Sequence, residues 1–276
     1  EIAQFLLTGS SVRKLRAQTN SNWLPGRLIT FRLDPLTLTE LQAVKNVSLE
    51  SLLIDGTLPG IVQTQHIVDK ESDLNNYVFS YLEEEVRAEA LVKKVAPFSK
   101  FLYLAASESG EIINLRKLSQ EIGVAHTTIA TYYQILEDCL IAESIEPLAT
   151  SKSRRRLTKS PKYLFFDLGV RRVSAKEARG FPLSYWGRLF EQWVALEILR
   201  YIRSEQLKGT LYFWRDANGP EVDWVLSLNN QYTPIEVKWT ESPTYQDAKH
   251  LALFQKEYSE ASTAWVVCRT PRTMKL

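Results

Sequence analysis

The sequence predicts the α/β class, built as three successive units, and three patterns predict it. The first stretch alternates strand, helix, strand, helix. The middle shows three helical segments followed by two short strands. The last hundred residues read helix, three strands, helix, strand.

Residues 5–7 ("FLL") read as a buried strand, and Ser10 or Ser11 as the cap of a helix over 11–16. "NWLPGR" is a turn at Pro25 and Gly26. "LITFRL" (28–33) is a second strand, and "DPLTLTELQAV" enters a helix through Pro35 and Thr37. This order suits the end of a parallel, doubly wound sheet. The chain starts at Glu1 with a strand already under way, which predicts a fragment preceded by further chain. "DGTLPGI" (55–61) is a separating loop, and 71–95 is mostly helical.

Next come an apolar helix over 98–110 stopped by Gly110, and a short helix over 114–123 between Asn114 and Gly123. A third helix covers 125–140, with Ile129, Tyr132 or Tyr133, Leu136 and Leu140 as its core stripe. The second and third of these make a helix-turn-helix. "LIAESIEPL" and "PKYLFFDLGV" read as strands joined by "ATSKSRRRLTKS". Three helices and a two-stranded ribbon make a winged helix. From about residue 180 follow an amphipathic helix (184–203), strands over 210–216, 221–228 and 232–239, a helix over 245–258 and a strand over 262–268.

Composition excludes several classes. Hydrophobic residues make up 45% and charged residues 24%, which is globular. Cys139 and Cys268 are far apart and His numbers three, so a cysteine-based zinc site is excluded. Sparse cysteine fits a reducing, cytoplasmic setting. No apolar run has the length of a membrane span, so no membrane partner is expected.

The chemistry concentrates in "EVDWVLSLNNQYTPIEVK", residues 221–238. Strand alternation groups Glu221, Asp223 and Val225 on one face and Val222, Trp224 and Leu226 on the other. A tight turn on Asn229-Asn230 gives cross-strand partners whose numbers sum to 459. Asp223 then faces Glu236, and Glu221 faces Lys238. Like charges opposite each other are destabilising. A hard divalent cation, Mg2+, gives two carboxylates a reason to meet. Lys238 is placed to activate a water or to stabilise phosphate charge. Glu191, in the preceding helix beside Phe190 and Trp193, is placed to complete the set. Asp223, Glu236 and Glu191 are thus the expected metal ligands. With Lys238 they are the expected catalytic residues, for metal-assisted phosphodiester hydrolysis. The alternative is a solvated polar face, with Glu221 and Lys238 as an ordinary ion pair and Glu191 a solvent-facing helix carboxylate.

Glu191, Asp223 and Glu236-Val237-Lys238 resemble the PD-(D/E)xK, restriction-endonuclease-like arrangement, with Val222 where that pattern has Pro. The whole chain resembles a prokaryotic family of AAA+ ATPases that carry a winged helix and a nuclease-like C-terminal domain. The matching stretches are "FLLTGSS", "LPGRLITFRLDPLTLTEL", "SPKYLFFDLGV", "WGRLFEQWVALEI", "FWRDANGPEVDWVL" and "PIEVKW". The resemblance implies four parts: the remainder of an AAA+ domain over 1–60, a helical lid or linker over 61–97, the winged helix over 98–175 and the nuclease-like domain over 176–276. It implies that Ser10 or Ser11 matches a nucleotide sensor and Arg27 an arginine finger. The chain has no GxxxxGK[ST] loop, so ATP is expected only in the full-length protein. Assembly of like subunits through the ATPase part is also implied.

Nucleic acid, DNA first, is the expected partner. Residues 151–162 carry six basic residues and no acid, and 151–188 carry eleven Lys/Arg against Asp167 and Glu177. Such a cluster attracts phosphates. Lys152, Arg154, Arg155, Arg156 and Lys159 would hold the backbone, and Thr127, Thr128, Thr131 and Gln134 of the third helix would face a groove. The competing expectations are a non-catalytic nucleic-acid or protein binding module and a winged-helix DNA-binding regulator.

Overall fold

Caps and turn residues set the helix boundaries of this mixed α/β chain. The structure, a computed structural model, describes residues 8, 31–44, 47–86, 95–148, 160–216 and 219–275. The expected strand at 5–7, the helix over 11–16, Ser10, Ser11, Arg27 and residues 28–30 of the second expected strand lie outside these residues. Residues 31–33 carry no strand, and Phe31 and Leu33 are exposed. Helix α1 (Leu38–Leu41) starts on a reciprocal capping box between Thr37 and Glu40, which satisfies two otherwise orphaned N–H groups. Helix α2 (Leu49–Asp55) is capped by Ser48. The loop expected to run to residue 61 is shorter. Pro59 opens helix α3 (Pro59–Gln63), because its fixed φ suits the first helical position and its missing N–H costs nothing there. Helix α4 (Ile67–Asn76) runs on into a π-helical stretch, Tyr77–Val86.

Three helices then enclose the first core. They are α5 (Val95–Ser107), α6 (Leu115–Ile122) and α7 (His126–Asp138). Asn114 caps α6 through the Lys117 N–H, and Gly123 ends it at φ 80°, a conformation that disfavours a Cβ. Phe98, Phe101, Leu118, Ile129, Tyr132, Tyr133 and Leu136 are buried together. Leu140, expected in that stripe, leaves it: it turns the chain at φ 59° and is only half-buried. Strands β1 (Ala142–Ile145) and β2 (Lys162–Phe165) pair antiparallel, Ala142 with Phe165 and Ile145 with Lys162. The second expected strand ends early. Asp167 accepts the Val170 N–H and caps a helix, α8 (Leu168–Ser174), where the sequence predicted continued strand.

Helix α9 (Leu183–Ser204) precedes a four-stranded sheet ordered β3 (Gly209–Arg215), β4 (Glu221–Leu228), β5 (Gln231–Val237), β6 (Trp265–Val267). The first three strands are antiparallel. Helix α10 (Lys249–Glu257), entered through a 3-10 turn at Tyr245–Ala248, carries the chain over to β6, which lies parallel to β5. A parallel pair needs such a crossover, since a hairpin cannot join it. Trp224, Ile235 and Val237 pack towards α9 residues Leu189, Phe190 and Trp193. Val222, Val225 and Trp214 pack with Leu251 and Phe254 of α10.

The α9 core extends well beyond its own sheet. It includes Leu41, Leu52 and Leu53 of α1 and α2, Ile145 of β1 and Leu164 of β2. Arg200 is buried at the junction. It donates to the carbonyls of Leu36 (3.2 Å) and Phe166 (3.0 Å), to Thr57 Oγ1 (3.0 Å) and to Glu197 (2.9 Å). Gly169 lets α8 approach the 55–57 turn: a Cβ on it would lie 2.0 Å from the Asp55 carbonyl oxygen.

Candidate active site on the mixed sheet

The β4–β5 hairpin has the register its turn predicts. Trp224 pairs with Ile235, Val225 with Pro234 and Leu228 with Gln231. Asn229 and Asn230 both take positive φ, 51° and 61°, as a two-residue turn matched to strand twist requires. One rung past Trp224–Ile235 lie Asp223 and Glu236. There a side chain enters the pairing, with Asp223 Oδ2 accepting the Val237 N–H at 2.8 Å.

The alternation expected along β4 is broken. Tyr212 pairs with Val225 and Trp214 with Val222, so Asp223 and Trp224 together span the single Phe213. This is a β-bulge, which adds one residue to a strand and re-aims the side chains around it. Its consequence is that Val222 packs with Val225 under α10, not with Trp224 as simple alternation predicts. Asp223 sits on the bulge itself.

Glu236 is buried. Its Oε1 accepts from Lys238 Nζ at 2.5 Å, while Oε2 is buried with no hydrogen-bond partner. The expected Glu221–Lys238 pairing does not form. Strand β5 ends at Val237, the Lys238 N–H donates to Val267 of β6, and Glu221 meets Arg215 at 3.3 Å.

Glu191 comes from the first half of α9, whose carbonyl at that residue accepts the Trp224 indole N–H at 3.0 Å. Its carboxylate is held by Lys162, expected at the start of the second ribbon strand and within the basic stretch 151–162. Lys162 Nζ lies 2.9 Å from Glu191 Oε1, 4.7 Å from the Trp224 ring centre and 5.3 Å from that of Phe213. Lys162 belongs to β2, so the ribbon contributes a cation to the sheet's carboxylates. Its place at the start of the expected strand "PKYLFFDLGV" separates it from the other basic residues of 151–162, but does not reveal its partner.

The charges act on one another. Burial pushes the Asp223 carboxyl well above the usual carboxylate range, and the neighbouring Glu191 and Glu236 add to this. Burial raises Glu236 too, against the pull of Lys238. For Lys162 burial alone would lower the pKa, but Glu191, Asp223 and Glu221 outweigh it and the ammonium is held more firmly charged. Lys238 behaves in the same way beside Glu236 and Asp223.

Three carboxylates therefore share one electrostatic neighbourhood with two lysines. They are not drawn into a ready-made cage: among the described residues no group of three or more His, Cys, Asp or Glu stands close enough to hold a metal ion. The expected three-carboxylate ligand set is corrected to that extent. Each carboxylate is engaged elsewhere, Glu191 by Lys162, Asp223 by the Val237 N–H and Glu236 by Lys238. The unpartnered, buried Glu236 Oε2 still fits a hard cation, because a buried anionic oxygen without a partner is costly. Asp223 and Glu236 are the residues that would hold Mg2+, an ion satisfied by one or two carboxylates plus water and phosphate oxygens. Bound there, it would supply Lewis-acid activation of a water or phosphoryl oxygen. Lys238 is placed to orient a water or to offset charge on a phosphate.

The expected nucleic-acid residues divide. Lys152, Arg154, Arg155, Arg156 and Lys159 lie outside the described residues. On α7, Thr127, Thr131 and Gln134 are exposed and Thr128 half-buried; the Thr131 hydroxyl bonds the Thr127 carbonyl and Gln134 bonds Asp138. The eleven-residue basic count overstated the free charge. Arg171 is buried against Glu177, Arg172 against Glu71, and Arg179 pairs with Asp55 and Glu71. Lys162 and Arg188 pair with Glu191 and Glu111. Arg171, Arg172, Arg179 and Lys162 are thereby engaged within the fold, whereas the Arg188–Glu111 pair lies at the surface.

Fold and site together define a mixed α/β protein with a carboxylate–lysine cluster on a bulged hairpin. Residues 46–178 match a domain of unknown function (DUF8612), and residues 186–276 match another (DUF4143). Uncharacterized proteins of Mycobacterium tuberculosis and Mycobacterium bovis are each 23% identical over 91% of this chain and 56% of their own length. An uncharacterized protein of Haemophilus influenzae is 24% identical over 71% of the chain and 50% of its own. The chain thus spans about half the length of the curated relatives it matches. No solved structure matches it. Among the described residues no helix is long and apolar enough to cross a membrane.

Proposed function

We propose that this chain is part of an ATPase-coupled nucleic-acid-processing protein whose C-terminal sheet carries out Mg2+-dependent phosphodiester hydrolysis. The observation that supports it is the bulged hairpin, where Asp223, Glu236 and Lys238 converge and one buried Glu236 oxygen lacks a partner. In this reading Asp223 and Glu236 hold the cation, Glu191 assists, and Lys238 positions the attacking water or offsets charge on the phosphate. The three helices and ribbon act as a winged helix that brings DNA to the sheet, through the exposed side of α7 and the basic residues of 151–159. ATP is assigned to a nucleotide site outside this chain. The ATPase part of the reading, including Ser10, Ser11 and Arg27, rests on resemblance in the first 60 residues.

The test is incubation with single- and double-stranded DNA and RNA in Mg2+ or Mn2+. Cleavage is expected that needs the divalent ion, vanishes in Asp223→Ala and falls about 100- to 1,000-fold in Lys238→Ala. One observation favours a second reading, a non-catalytic binding module: every site carboxylate already has an internal partner. Failure of the wild type to cut any of these substrates, with salt-dependent binding intact, supports that reading and rejects hydrolysis.

A further inference from the structure

Among the described basic residues of 151–188, Lys162, Arg171, Arg172, Arg179 and Arg188 pair with carboxylates, and Lys176 does not. Lys176 is exposed, and its ammonium lies 6.0 Å from the Tyr103 ring centre. Its backbone closes α8. The Lys176 N–H donates to the Val173 carbonyl and the Glu177 N–H to that of Arg172. This is a Schellman closure, whose left-handed residue is most often glycine. Lys176 holds that conformation at φ 53°, where a Cβ is disfavoured. An exposed side chain gains little burial to offset such strain, which points to a role outside packing.

Lys176 borders a pocket of about 340 Å3 between α5 and the end of α8, at the small end of the about 300–1,000 Å3 usual for ligand sites. Its lining among the described residues is Ser99, Lys100, Leu102 and Tyr103 of α5, with Ser174 and Lys176, and none of these is acidic. The two walls are tied together by buried Arg171, which donates to the carbonyls of Ala106 (2.7 Å) and Ser107 (3.3 Å). Ser174 adds a second, independent observation. It is buried and its hydroxyl has no hydrogen-bond partner, a costly state. Lys100 donates to the Glu121 carbonyl and pairs with no carboxylate among the described residues.

Two ammonium groups and three hydroxyls therefore surround one small pocket without a counter-charge. A phosphate monoester carries about −1.5 to −2 at pH 7, which balances the two lysines, and its oxygens accept from the hydroxyls. A carboxylate or a phosphodiester brings a single charge. We propose that this pocket binds a phosphate monoester, held by Lys100 and Lys176 with the hydroxyls of Ser99, Tyr103 and Ser174. The site is separate from the carboxylate–lysine cluster and does not depend on hydrolysis there.

The experiment is a calorimetric titration of the whole chain with inorganic phosphate in chloride buffer, with a thermal melt of each protein. The proteins are wild type, Lys176→Gly, Ser174→Ala and, as a control, Lys256→Gln on the exposed side of α10. Lys176→Gly relieves the positive φ and removes the charge. It is expected to melt at the same temperature or higher, yet to bind phosphate about 10-fold weaker or worse. Ser174→Ala removes the unpartnered hydroxyl and is expected to melt no lower and to bind about 3-fold weaker or worse. Lys256→Gln is expected to bind like wild type. No saturable binding by the wild type overturns the inference, as does unchanged binding by Lys176→Gly or Ser174→Ala. Equal weakening in Lys256→Gln overturns it too, since general charge attraction would then be the cause. A lower melting temperature for Lys176→Gly does the same, because the lysine would then serve the fold. A 5′-phosphorylated oligothymidylate and its 5′-hydroxyl form separate the sources of the phosphate. Binding of the phosphorylated form tighter than inorganic phosphate, lost in Lys176→Gly, assigns the site to a nucleic-acid end. Binding no tighter than inorganic phosphate assigns it to a small phosphorylated molecule.

Discussion

Burial and neighbouring carboxylates raise the Asp223 pKa, and the sign of that shift fixes a pH dependence. Burial, with Glu191 and Glu236 nearby, raises its pKa in the fold above that in the unfolded chain. The folded state therefore holds this proton more tightly. Its contribution to stability is fully present below the unfolded carboxylate value, about 3.9, and is lost as pH rises through the raised folded value. Urea melts from about pH 4 upward should show the metal-free wild type losing stability with pH relative to Asp223→Asn. Asparagine keeps an acceptor for the Val237 N–H and cannot ionise. The comparison with the variant cancels other groups, such as Asp55 and Glu71, whose partners lower their pKa values. Parallel pH curves for the two proteins would show that Asp223 carries no such shift.

At the level of elements, the β4–β5 hairpin decides whether Asp223 and Glu236 meet. Its register depends on two consecutive residues at positive φ, which a β-branched side chain resists by about 1–2 kcal/mol. Asn230→Val should lower the unfolding free energy by about that amount, and Asn230→Gly should leave it unchanged or raise it slightly. Equal stability of all three proteins would mean that the turn does not set the register. This element was legible in the sequence, because Asn-Asn between two apolar-rich runs is a local signal. The bulge was not, because it exists only in relation to Phe213 on the neighbouring strand. The start of helix α8 is not legible either, because its cap, Asp167, lies within an apolar run that reads as strand to Val170.

Across the whole molecule, one core joins α1 and α2, the ribbon, α9 and the sheet. Arg200 fastens that junction with donors spent on four separate residues. Arg200→Ala should cost about 3–5 kcal/mol, because it strands buried acceptors and Glu197 together. It should lower the midpoint of a single thermal transition read by both near-UV signal and calorimetry. Two separate transitions in the wild type, with only one moved by the variant, would show that the units fold independently.

The sequence by itself determined the three helices between 98 and 140, the order helix, three strands, helix, strand from about 180 onward, the helix caps at Asn114 and Gly123 and the hairpin register. All of these depend on neighbours within a few residues or on one short turn. The tertiary structure decided which charges are free. Arg172 finds Glu71 a hundred residues away, and Lys162 leaves the basic loop's neighbourhood for Glu191. A charge's role depends on which partner it meets after burial. That is set by the packing of distant elements, which no local pattern records.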